Sequence, residues 1–92
     1  MNYQNYVLVR LYIFESENKS PRLIKAYHTA SFSETLKMYN YMEEAEIPIR
    51  VPNDNDFGTD YNGDILFINE IEVGFGSNES LVCIDIFAGD AP

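Results

Sequence analysis

The side chains in this sequence that could carry chemistry are mostly carboxylates, and few have the company that catalysis requires. His28 is the one histidine and Cys83 the one cysteine. A nucleophile–base pair or a metal centre needs several such groups to converge. His28 falls in a strand-like run, where it reads as an ordinary strand side chain. Cys83 lies between Val82 and Ile84, the setting of a small buried hydrophobe. It lacks the neighbouring cation in sequence that would activate a thiolate. One cysteine also excludes an intramolecular disulfide and fits a reducing compartment.

The stretch from Asp54 to Asp64 is dense in oxygen ligands, with Asp56, Asp60, Asn55 and Asn62 between its ends. An EF-hand loop requires Gly at its sixth position and Glu at its twelfth. Counted from Asp54 those positions hold Thr59 and Ile65; from Asp56 they hold Tyr61 and Phe67; from Asp60 the sixth is Ile65. No register fits, which leaves an irregular, weak oxygen site as the calcium alternative. Gly74-Phe75-Gly76 lacks the third glycine and the following helix of a dinucleotide loop, and reads as a turn. Glu70 and Glu72 could form an acid–base pair only with further polar groups around them. A solvated strand face is the plainer reading. No catalytic residue, metal or cofactor is expected, and the chain reads as a binding protein, not an enzyme.

Charge is the strongest signal. Six basic residues stand against fifteen acidic ones, a net −9 at pH 7. All the cations, Arg10, Lys19, Arg22, Lys25, Lys37 and Arg50, lie in the first fifty residues. There Glu15, Glu17, Glu34, Glu43, Glu44 and Glu46 balance them. Asp54, Asp56, Asp60, Asp64, Glu70, Glu72, Glu79, Asp85 and Asp90 follow without one base. Such a field repels nucleic acid and anionic membrane, and attracts basic partners across about a Debye length, ~8–10 Å at physiological salt. The aromatics, seven Tyr and six Phe, would suit base stacking only beside a positive groove.

The elements that must position these groups can be read from periodicity. Ninety-two residues, 46% of them apolar, suit one domain with one core. Residues 6–14 are almost continuously apolar and β-prone, a central strand. After a polar, Pro-terminated loop, residues 22–29 form a second strand, paired with the first as a long-looped hairpin. Ser31 and Glu34 spell a capping box. Behind it Phe32, Leu36, Tyr39 and Met42, flanked by Thr35 and Met38, make a helical stripe, which Pro48 ends. Residues 47–51 suit an edge strand, and 52–63 a long acidic loop. Residues 64–75 are a strand that a bulge or tight turn at Asn69-Glu70 divides. Residues 80–87 are the last strand, with Val82, Ile84 and Ile86 on one face and Asp85 on the other. The order β-β-α-β-β-β predicts an α+β fold, a mostly antiparallel sheet with one amphipathic helix on one face. The opening Met1-Asn2-Tyr3-Gln4-Asn5 has no basic, then apolar, secretion signal, and a cytoplasmic location is expected.

The carboxylates remain as a set. Glu70 and Glu72, two apart on a strand, share a face at ~6.6–6.8 Å, comparable with neighbouring phosphates on a DNA strand. Glu43, Glu44 and Glu46 crowd the helix C-terminus, where the macrodipole disfavours anions by ~0.3–1 kcal/mol each. With Asp54, Asp56, Asp60 and Asp64, these nine side chains form a candidate surface that places carboxylates where a basic protein expects phosphates. Ordinary acidic solubility is the alternative, although that needs only a net charge of ~2–8 and no segregation. In size, charge, α+β pattern and the acid-rich stretch from Asp54 to Glu72, the chain resembles the small acidic DNA-mimic proteins of phages, the Arn-like anti-restriction proteins. That resemblance implies inhibition of a host DNA-binding protein or restriction nuclease, in the host cytoplasm, by a homodimer. The neutral first half differs from an all-round mimic and favours one active face. An immunity- or antitoxin-type inhibitor that plugs a basic site without imitating DNA is the other reading.

Overall fold

In strand β1 (Val7–Ile13) buried Val7, Val9, Leu11 and Ile13 alternate with half-buried Leu8, Arg10 and Tyr12. This period of two sends one set to each face of a sheet. The computed structural model describes residues 7–14, 20–51, 65–75 and 82–92. In these the order is β1, β2 (Arg22–Thr29), α1 (Phe32–Glu44), β3 (Ile49–Arg50), β4 (Ile65–Phe75) and β5 (Val82–Gly89). The expected α+β fold and its element order are present, and β1 is central as its apolarity predicts.

The five strands lie in the order β2-β1-β5-β4-β3. Every pairing is antiparallel except β1 with β5, which run parallel in the register Val9↔Ile84, Arg10↔Asp85, Leu11↔Ile86. The first and last strands thus form the middle of the sheet. The core fills one face: Val7, Val9, Leu11 and Ile13 of β1, Ile24 of β2, Leu66 and Ile68 of β4, and Ile84, Ile86 and Ala88 of β5, with Val51 beside them. Phe32, Leu36, Tyr39 and Met42 of α1 pack on this cluster, the stripe expected from their spacing. All are only half-buried, so the helix is a thin cover over one side of the sheet.

Both ends of α1 differ from the sequence expectation. Ser31 is the N-cap, with extended backbone, but its side chain makes no capping hydrogen bond. Its own N–H donates instead to the Thr29 hydroxyl at 3.5 Å. At the other end the helix closes before Pro48. Glu46 N–H donates to the Glu43 carbonyl and Ile47 N–H to the Met42 carbonyl, with Glu46 at φ 55°. This is a Schellman motif, which satisfies carbonyls that a helix end leaves bare. Backbone geometry, not proline, stops the helix.

Candidate functional site

Strand β4 carries an ambiguous pattern. In strict alternation Leu66, Ile68, Glu70 and Glu72 would share a face, and no single face could be both core and acidic. The register shifts between Ile68 and Glu70, so Asn69 is the extra residue of a bulge. A bulge of one residue inverts the facing of everything beyond it. Leu66 and Ile68 before it, and Ile71 after it, all meet the core. Glu70 and Glu72 are exposed on the opposite face, which α1 does not cover. The divided strand predicted at Asn69-Glu70 is a bulge, and it makes the acidic row possible. Asn69 also ties down the chain end. Its amide donates to the Ala91 carbonyl at 2.8 Å, and its Oδ1 lies 2.8 Å from where a Cβ on Gly89 would stand. A side chain at position 89 would have to push the exposed Asn69 amide aside.

On this open face Glu70 lies opposite Phe87, and Glu72 opposite Asp85. Like charges directly opposite one another are destabilising. Arg10, from the next strand, relieves that repulsion. It grips Asp85 in a fork, Nε to Oδ1 at 2.7 Å and Nη2 to Oδ2 at 2.9 Å. Bidentate charge-assisted pairs of this kind are both strong and directional. The hydrogen bond to Asp85 holds the guanidinium pKa above its ordinary value. Beside the pair runs an aromatic stack. The rings of Tyr12 and Phe87 are 5.1 Å apart at 15°, those of Phe14 and Phe87 5.7 Å apart at 28°, and the Arg10 guanidinium sits 5.9 Å over Tyr12. The face therefore joins an aromatic patch to two unneutralised carboxylates.

The candidate carboxylates divide between two places. Glu70 and Glu72 stand on the open face. Glu43, Glu44 and Glu46 stand at the end of α1, in the layer on the core side. The chain passes from Glu46 into β3, which pairs with β4 at Ile65 and Leu66, and Glu70 and Glu72 lie further along β4, beyond that pairing. Asp54, Asp56, Asp60 and Asp64 lie outside the described residues, as does the loop weighed for calcium. Sequence reading missed Arg10, Asp85 and the aromatic stack as one group. Arg10 is the one charge in β1 and Asp85 the one charge in β5, which was a signal. Their meeting needed the parallel β1–β5 pairing.

His28 is exposed at the β2 edge, opposite Leu8, and Cys83 is a buried free thiol. Among the described residues no three or more His, Cys, Asp or Glu side chains gather as a metal site, and no helix is long and apolar enough to cross a membrane. No family model, curated protein or solved structure matches the chain.

Proposed function

We propose that this protein is an inhibitor that docks on a basic DNA-binding protein or nuclease and offers carboxylates in place of phosphates. The observation that carries this reading is the polarity of the sheet. The strand order puts β2 and β1, from the charge-balanced half of the chain, on one side and β5 and β4, from the acid-only half, on the other, with the two-residue β3 and its Arg50 at the far edge beyond β4. The two halves meet at the Arg10–Asp85 pair. Beyond that seam, on the uncovered face, Glu70 and Glu72 have no ion pair among the described residues. They are presented to solvent on a rigid strand, as pairing with partner arginines and lysines requires. The protein acts in the cytoplasm, without bound cofactor and without binding DNA itself, and the phage anti-restriction proteins it resembles suggest the kind of target.

A second reading, an immunity- or antitoxin-type plug, draws on the aromatic stack, since aromatic side chains dominate protein–protein hot spots. One experiment separates the two. The partner is captured from a bacterial lysate, and its affinity for wild type, Glu70→Gln/Glu72→Gln and Glu15→Gln/Glu17→Gln is measured at two salt concentrations and with duplex DNA as competitor. The mimic reading expects DNA to displace the protein. It also expects the Glu70/Glu72 variant to bind ~10-fold or more weakly with a flatter salt dependence, and the Glu15/Glu17 variant to bind as wild type. An unchanged salt slope and no displacement by DNA would leave the plug as the better account. A greater loss from Glu15/Glu17 would put the contact on the other half of the chain.

A further inference from the structure

On the core side, away from the acidic face, α1 leaves part of the sheet uncovered. A cavity of about 150 Å³ opens there. Its apolar lining comes from Val9 and Leu11 of β1, Ile86 of β5 and Ile49 of β3, and its polar lining from Lys25 and Tyr27 of β2, Tyr39 of α1 and Arg50 of β3. β2 and β3 are the two edges of the sheet, so the sheet curls far enough to bring both edges to one hollow. Two of the chain's six cations stand here, in a protein whose net charge is −9.

Three features define what the hollow would hold. An apolar cavity of ~150 Å³ is large enough for a benzene ring in other proteins. Lys25 is half-buried beside this apolar lining and has no ion-pair partner among the described residues. Its stem can lie along the apolar lining with the ammonium at the rim of the hollow, where an anion could reach it. The hydroxyls of Tyr27 and Tyr39 hydrogen-bond to each other. One phenol donates to the other, which leaves one O–H of the two to donate elsewhere. Apolar lining, an unpaired ammonium and a spare phenolic donor together match a ring-sized apolar body that ends in a carboxylate.

We propose that the cavity between β2, β3 and α1 is a binding site for a small aromatic monocarboxylate, with the ring against Leu11, Ile49 and Ile86 and the carboxylate at Lys25 and the tyrosine pair. Benzoate is the probe. Titration of the full-length protein, followed by amide chemical shifts, is expected to give saturable changes at Tyr27, Tyr39 and Ile49 with a Kd of ~1 mM, the affinity that a ligand of nine heavy atoms reaches with modest contacts. Acetate supplies the charge without the ring and benzamide the ring without the charge; each is expected to bind ~10-fold or more weakly. Lys25→Gln removes the charge at the cost of one atom of side-chain length and is expected to weaken benzoate ~5-fold or more while leaving benzamide unchanged. Acetate or benzamide binding as well as benzoate, or shifts scattered away from the cavity, would overturn the proposal. So would a folded Lys25→Gln variant that binds benzoate as wild type does. The comparison of the three probes on the unaltered protein decides the matter even if that variant does not fold.

Discussion

At Glu46 the chain takes a conformation that favours glycine, in a place that disfavours anions. A side chain in the left-handed region costs roughly 1–2 kcal/mol, and a carboxylate at a helix C-terminus roughly 0.3–1 kcal/mol more. Glu46→Gly relieves both, against the greater freedom glycine gives the unfolded chain, roughly 0.4–1 kcal/mol. A net gain of about 1 kcal/mol is expected, a rise in Tm of ~4–8 °C for a domain of this size. Thermal unfolding checks it, and an unchanged or lower Tm would mean that the Glu46 side chain stabilises the fold. If the same variant binds the captured partner less well, Glu46 is a residue kept for contact at the expense of stability. Tyr39 offers a second test. Burial, then its hydrogen bond with Tyr27, raises the phenol pKa above its usual 10.0. The folded state therefore holds the Tyr39 proton after the unfolded chain has released it. The stability this contributes is fully present below pH ~10 and is lost as pH rises through the folded-state pKa. Tyr39→Phe is expected to flatten the decline in stability above pH ~10 relative to wild type. Denaturant melts at pH 8, 10 and 11 would show it, and parallel curves for the two proteins would refute it.

At the scale of elements, the bulge in β4 decides which face the acids occupy. Deleting Asn69 restores strict alternation, and either Glu70 and Glu72 turn toward the core or the strand beyond them loses its register. An unpaired carboxylate in a core, or the loss of that packing, is expected to cost more than about 3 kcal/mol, much of the stability of a small domain. Asn69→Ala keeps the extra residue and forfeits only an exposed hydrogen bond to Ala91, a loss of about 1 kcal/mol. Urea denaturation of the two variants separates residue count from side chain. A deletion as mild as the substitution would show that β4 tolerates either register. Helix α1 teaches a related lesson. Its stripe was plain in the sequence because helical spacing is local, whereas the Ser31 cap was not made, because a side-chain hydroxyl can serve only if the tertiary path aims it at the free amides.

Across the whole molecule, β2 and β1 of the charge-balanced half lie beside β5 and β4 of the acid-only half, and only β3 with Arg50 crosses to the far edge. The β1–β5 pairing lays the two halves side by side, and the Arg10–Asp85 bridge joins them at the seam. Glu70 and Glu72 are exposed on the open face, while the cavity with Lys25 and Arg50 opens on the core side. One consequence concerns DNA directly. The basic footprint that duplex or single-stranded DNA binding requires is missing from a chain of net charge −9, and no binding is expected at ~0.15 M salt. A gel shift at micromolar protein would overturn both the mimic reading and this account of the field.

What the sequence determined by itself was local or additive. Alternation, helical spacing and β-branched runs depend on neighbours in the chain, so the α+β order and the stripe Phe32, Leu36, Tyr39 and Met42 could be read directly. The segregation of charge is likewise a property of composition along the chain. Tertiary structure decided the rest. The parallel meeting of β1 with β5 joins residues 75 apart, Arg10 and Asp85. No periodicity encodes it, because pairing partners are chosen by how the whole sheet closes over its core. The facing of Glu70 and Glu72 also waited on the fold. Their spacing put them together, but only the competition between Ile68 and Ile71 for the same core fixed where the bulge falls, and with it which side of the protein is acidic.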